Sequence, residues 1–187
     1  MASFVARLLG AARLDTSTYE EVEADRSSTG QAVLVVALAA VAAGIATYDQ
    51  YGAQGIVVGT IGSLVAWFVW AYLVWLLGTK LLPEPGTQAD VGQVVRTTGF
   101  SAGPGLLIVL AIIPSIAGFV GIVTNLWMLV AMVIAVRQAL DFNSTGRAIL
   151  VSVLGFLAYI AVFVLIAVVF GVAAGMLEAL RPAAAPG

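Results

Sequence analysis

The residues with the greatest capacity for chemistry lie together near the N-terminus. Asp15, Glu20, Glu21, Glu23 and Asp25 supply five of the ten acidic side chains, with Tyr19 among them. Such a cluster can dock a basic partner, and Tyr19, Glu20, Glu21, Glu23 and Asp25 are the candidate partner surface. It can also attract a divalent cation, but Glu20, Glu21 and Glu23 point in different directions on a helix, so a metal cage is poorly supported. The plainer reading is a solvated helix that feeds the first membrane span. Thr18 with Glu21, and Ser28 with Gln31, have the spacing of capping boxes, the second at the start of that span.

Other chemistry is excluded by composition. The chain has no histidine, no cysteine and a single lysine, Lys80. Histidine and cysteine metal sites, Ser-His-Asp and Cys-His nucleophiles, disulfides and histidine-based pH switching therefore cannot be built. A net charge of −2 argues against nucleic acid as a partner. The polar side chains within the apolar stretches are Thr60, Ser63, Ser115, Thr124, Asn125, Ser152, Tyr72 and Tyr159. They can form interhelical hydrogen bonds but lack the paired charges of a proton relay or an intramembrane catalyst. No catalytic, metal-binding or cofactor-binding set is identified; neither enzyme activity nor a cofactor is expected.

The elements that carry these residues are set by where charge is missing. Residues 27–48, 50–79, 97–136 and 148–177 contain no charged side chain. A helix needs about 20 apolar residues to cross the hydrocarbon layer. The 97–136 stretch is too long for one crossing and contains Pro114, Gly118 and Gly121, so it reads as a hairpin of two spans. The fold class is thus an all-α integral membrane protein with five transmembrane helices, at about 31–49, 56–78, 102–118, 121–138 and 148–176. Residues 1–30 form an amphipathic and acidic N-terminal segment, 31–178 the membrane domain and 179–187 a disordered tail. Five spans place Arg7, Arg13, Arg26, Lys80, Arg96, Arg137 and Arg147 on one side and only Arg181 on the other. That asymmetry puts the N-terminus in the cytoplasm and the C-terminus outside. Every ionisable side chain then falls at the end of a span.

Short helices are expected on the cytoplasmic face. Residues 1–13 place Phe4, Val5, Leu8, Leu9 and Ala12 on one face, with Arg7 and Arg13 turned to anionic headgroups. In the loop 83–101, Thr87 with Asp90 caps a helix with Val91, Val94, Val95 and Thr98 on one face, and Gly99 is its expected stop. That helix rests along the inner membrane surface or against the bundle. Gly55–Gly59 and Gly171–Gly175 have the small-residue spacing of close helix packing. Trp67 and Trp70 lie too deep for an interfacial belt and pack or face lipid, whereas Trp127 suits the outer belt. Asn143-Ser144-Thr145 matches the glycosylation sequon, but its cytoplasmic side argues against use.

Three groups of residues carry a family resemblance. Leu14-Asp15 with Tyr19 to Asp25 resembles the approach to the first span in bacterial Yip1 domain proteins. Arg96 to Pro104, with Gly99, Phe100, Ser101 and Pro104, is similar to that family's Gly-(Phe/Tyr)-Ser motif followed by Pro. Ile113-Pro114 through Gly118, then Asn125-Leu126-Trp127, resembles its third-to-fourth hairpin. The likeness covers residues 14–176. It implies a membrane protein acting through partners, eukaryotic relatives being linked to Rab GTPases, vesicle trafficking and Golgi organisation. The short tail and loops favour a prokaryotic plasma-membrane protein. The expected function is non-enzymatic scaffolding of membrane partners through the cytoplasmic face. The alternative is a small conduit for uncharged solutes or lipids. Candidate partners are the lipid bilayer, an unidentified membrane or cytoplasmic protein, and further copies of the chain.

Overall fold

A computed structural model describes the backbone of residues 2–179 and the side chains of residues 2–170. The predicted tail 179–187 lies, but for its first residue, outside the described residues, as do the surroundings of Gly171 and Gly175. The described chain is all-helical: α1 (Phe4–Ala12), α2 (Thr16–Ala24), α3 (Thr29–Ala46), α4 (Tyr48–Leu76), α5 (Val91–Ser101), α6 (Ala117–Ala139) and α7 (Thr145–Ala179). A π-helical turn, Leu77–Leu81, prolongs α4, and a 3-10 segment, Gly103–Ile112, prolongs α5. Five stretches are long and apolar enough to cross a membrane: Arg26–Ala46, Tyr48–Leu81, Val91–Ile112, Ala117–Ala139 and Thr145–Phe170.

Four of these agree with the charge-free stretches, and the third is displaced. The expected span 102–118 is replaced by Val91–Ile112, and the turn falls at 113–116 rather than at Gly118–Gly121. Proline explains where the third span ends. The residue before a proline is pushed out of helical geometry, and Ile113 is extended at φ −89° and ψ 107°. Gly118 and Gly121 are simply carried within α6.

The loop helix is corrected in the same region. It is capped by Asp90, whose side chain accepts from Gln93 N while Gln93 reaches back to Asp90 N. Thr87 instead closes a turn by accepting from Glu84 N. Gly99 does not stop the helix, which runs on to Ser101 and then into the 3-10 segment. Residues Val94 to Ser101 are all buried, so α5 stands against the bundle.

Small residues set how closely the helices pack. A Cβ on Gly99 would sit 2.7 Å from that of Ala32, and one on Gly105 would sit 3.1 Å from that of Ala39. Those pairs align α3 with α5 and its 3-10 continuation, running in the same direction. Gly44 meets Ile56 across the α3–α4 hairpin, and Gly155 admits Val74 of α4 against α7. The backbone kinks within α4 at Gly52, whose φ of 59° suits a residue without a side chain. Gly55 contacts only Tyr51 of its own helix, and Gly59 faces open space.

The indoles of α4 are structural. Trp67 Nε1 donates to Thr98 Oγ1 at 3.1 Å, and Trp75 Nε1 to the Ala89 carbonyl at 2.9 Å. Trp70 packs on the core cluster that joins α4, α5, α6 and α7. Trp127 is not a free belt residue: its Nε1 donates to the carbonyl of Ala12, at the end of α1.

Candidate functional site

One end of the bundle gathers the start of α3, α5 and α7 and the end of α4 and α6. The two N-terminal helices dock here, and the charged residues that bind them are the centre of the site. Ser3 caps α1 by accepting from Ala6 N, and Asp15 caps α2 by accepting from Ser17 N. Thr18 is therefore inside α2, and no Thr18–Glu21 box forms. Ser28 stands at the start of α3 without capping it, and its hydroxyl donates to the Val22 carbonyl.

Arg7 overturns the expectation that it faces lipid headgroups. Its side chain is only 2% exposed and is the largest fully buried one described. Nη2 lies 2.9 Å from Glu21 and 2.6 Å from Asp25, and Nη1 donates to Gln31 at 3.2 Å. The reason is energetic. A guanidinium can be buried when acceptors meet its donors and carboxylates its charge. Glu21 of α2 and Asp25 just after it supply the carboxylates, and Gln31 of α3 a further acceptor. Burial opposes its charge, but hydrogen bonds to Asp25 and Glu21 prevail and raise its pKa. Glu21 is held below the usual carboxylate range by the N–H of Ala2 and by Arg7. The hydroxyl of Ser27 and the guanidinium of Arg7 lower Asp25 to about 2.

Arg96 is the second organiser. The sequence placed it at a helix end by a span, but it lies within α5 and the Val91–Ile112 stretch and is 4% exposed. Its Nε donates to the carbonyls of Val22 and Glu23 at 3.0 Å each, and its Nη2 also bonds to Glu23 O. Those carbonyls are at the end of α2, where helix acceptors lack partners and the dipole favours a cation. Gln93, one turn earlier, donates to the Glu23 carboxylate at 2.8 Å.

The acidic residues thus have different environments. Glu20 is outward, with only a 3.4 Å contact from Gln138 of α6. Glu21 and Asp25 are turned to Arg7. Glu23 is raised to about 7, chiefly by burial and then by the nearby Asp141. Tyr19 is fully buried, its hydroxyl donating to the Ala11 carbonyl, and burial pushes its pKa up.

The residues of the Gly-Phe-Ser motif lie beneath this docked pair. Gly99 gives the close approach to Ala32, and Phe100 is buried with Ala11, Tyr19, Val22, Ala32, Val35 and Ala135. Ser101 Oγ donates to the Thr98 carbonyl, and Pro104 opens the 3-10 segment. Pro114 lies in the turn at the opposite end. The rest of the docking end is tied by arginines. Arg137 binds the carbonyls of Phe142 and Asn143 and the Thr145 hydroxyl. Arg147 donates to Pro83 O, and Glu84 accepts from Asn143 N.

The sequence points Arg7 toward headgroups, pairs Gln31 with Ser28 in a capping box, puts Arg96 in the family-like motif and gives Gln93 no role. None of the four is expected to hold the N-terminal helices down. Arg96 gave one signal: it is flanked by Val94, Val95, Thr97 and Thr98, with no acid within four residues on its C-terminal side. Among the described residues no cluster of acids is arranged to hold a metal ion.

Comparison with curated proteins and with solved structures finds no match. A family model described as the Yip1 domain matches residues 15–176, from the cap of α2 into α7. With its five apolar helices, this multi-pass membrane chain belongs to the Yip1 domain family.

Proposed function

We propose that the chain is a non-enzymatic organiser of membrane partners, working from the docked end of the bundle. The observation that carries this reading is the locking of α1 to α2 and α3 by Arg7 and of α2 to α5 by Arg96. It makes one polar face from the N-terminal helices and the loops around Glu84 and Asn143. Glu20 and the exposed edge of Glu21 face outward from it, so a basic partner is the chemistry it suits. Tyr19 and Asp25 shape that surface from within, and a partner that touches them must first unseat α2. The domain division at residue 30 is part of the same proposal: the segment before it is the adaptor and the helices after it are the anchor.

Seven basic residues on this side favour a cytoplasmic placement and a plasma-membrane protein with its N-terminus inside. The lower face of α1 supports contact with the same leaflet, since Val5 and Leu9 are 59% and 48% exposed. Affinity purification in mild detergent tests the scaffold reading. A stoichiometric partner that is lost on Glu20→Gln with Glu21→Gln supports it. Specific solute or lipid flux in proteoliposomes, with no partner recovered, replaces it with the conduit alternative.

A further inference from the structure

One side chain on the outer surface of the bundle is chemically out of place. Asn125 is exposed on α6 among Ile122, Leu126 and Leu129, which are exposed as well. It is the ninth of the 23 residues of α6. At about 1.5 Å per residue it lies about 12 Å along the helix, so a spanning α6 carries it into the hydrocarbon layer. Its Nδ2 donates to the Gly121 carbonyl at 2.7 Å. The second N–H and Oδ1 have no partner among the described residues. A carboxamide left part-satisfied in hydrocarbon is costly, and a polar partner across the surface removes that cost.

The surface around Asn125 is shaped for another helix. Gly118 and Gly121 have open space where a Cβ would stand, and with Ile122, Asn125 and Leu126 they line a shallow groove. Gly118, Ile122, Asn125 and Leu129 recur at steps of four, three and four, the seam of a left-handed helix pair.

The occupant follows from membrane geometry and from the carboxamide. Copies of one chain share the same orientation in a bilayer, so two α6 helices meet in parallel about an axis along the membrane normal. A two-fold contact then brings Asn125 onto its own counterpart. Each side offers one free acceptor and one free N–H, which is self-complementary. Lipid tails offer neither. We propose that this face of α6 is a homodimer interface, in which Asn125 of each copy hydrogen-bonds to Asn125 of the other over the groove at Gly118 and Gly121. The inference requires α6 to span the bilayer and is independent of the scaffold reading.

Ile122→Cys gives a single thiol in a chain with no native cysteine. In native membranes, oxidation should give a dimer that contains two differently tagged copies of this chain. Phe163→Cys, exposed on α7, should give none at equal expression. Adding Asn125→Leu should cut the Ile122→Cys dimer about tenfold, and Asn125→Gln should retain most of it. Gly118→Leu, which fills the groove, should cause a similar loss. The proposal is overturned if Ile122→Cys crosslinks no better than Phe163→Cys, or if neither Asn125→Leu nor Gly118→Leu changes the yield. Capture of a different protein by the Ile122→Cys thiol also overturns it.

Discussion

Arg7 of α1 and Asp25, at the end of α2, lie 2.6 Å apart, and the guanidinium between them is almost wholly shielded from solvent. Two short helices that lack an apolar core of their own are thereby locked to each other and, through Gln31, to the first membrane span. Replacing Arg7 with Gln leaves Glu21 and Asp25 without their cation. Backbone amides of residues 4–24 should then exchange about tenfold faster or more, while those of α6 are unchanged. Hydrogen exchange in detergent micelles is the measurement, and uniform loss of protection throughout the chain would count against a local clasp.

The docking contact should depend on pH in a definite direction. Glu23 faces Gln93 and Arg96 of α5, Asp141 beyond α6 and Glu20 of its own helix. Its folded value of about 7 lies above the ordinary 4.5, so its contribution is complete below pH 4.5 and is lost as pH rises through 7. Asp25, lowered from 3.8 to about 2, acts oppositely: its contribution is present above 3.8 and is lost as pH falls through 2. Docking should be tightest near pH 4 to 5 and loosen toward pH 8. Exchange of α2 amides, corrected for intrinsic rates, should show that limb in the parent chain and a flat response in Glu23→Gln. A limb that persists in the variant would assign the titration elsewhere.

The close approach at Gly99 gives a packing prediction. Gly99→Val forces atoms into Ala32 and Trp67 and should cost about 1–3 kcal/mol in detergent-based unfolding. Gly59→Ala, which meets open space, should be neutral or slightly stabilising. Equal effects at both positions would refute the assigned packing.

Phe100 bears on why the N-terminal helices and the Gly-Phe-Ser motif occur together. Its ring is buried against residues of α1, α2, α3 and α6. Phe100→Ala should cost about 3–5 kcal/mol and should release α1 and α2 before the bundle opens. Limited proteolysis after Arg13 and Arg26, followed with temperature, reads that order. Simultaneous loss of both parts would show that the ring supports the whole bundle.

Four of the five apolar spans are legible because hydrocarbon excludes charge, and that exclusion acts locally along the chain. The third begins earlier than expected because it carries the buried Arg96. The turn at Pro114 was misread because two glycines competed for it, and only the proline forces the backbone to leave the helix. The site was less legible, for a different reason. Arg7 is separated from Asp25 by 18 positions and Arg96 from Glu23 by 73. No helical periodicity connects such pairs: Arg7 meets Asp25 only once α1 has folded back on α2, and Arg96 meets Glu23 only once α2 lies across α5. The acidic segment was visible as a cluster of charge, but not that its charge is largely turned inward.

The seating of α1 against the start of the 3-10 segment, with α2 across α5, is the central claim. A Cβ at Gly103 would lie 2.9 Å from the tip of Leu8, whereas Val5 points outward. The direct measurement is disulfide formation in native membranes by the double variant Leu8→Cys with Gly103→Cys. The account predicts an intramolecular bridge in most molecules, reduced when Arg7→Gln or Arg96→Gln is added. A yield no higher than that of Val5→Cys with Gly103→Cys would contradict it.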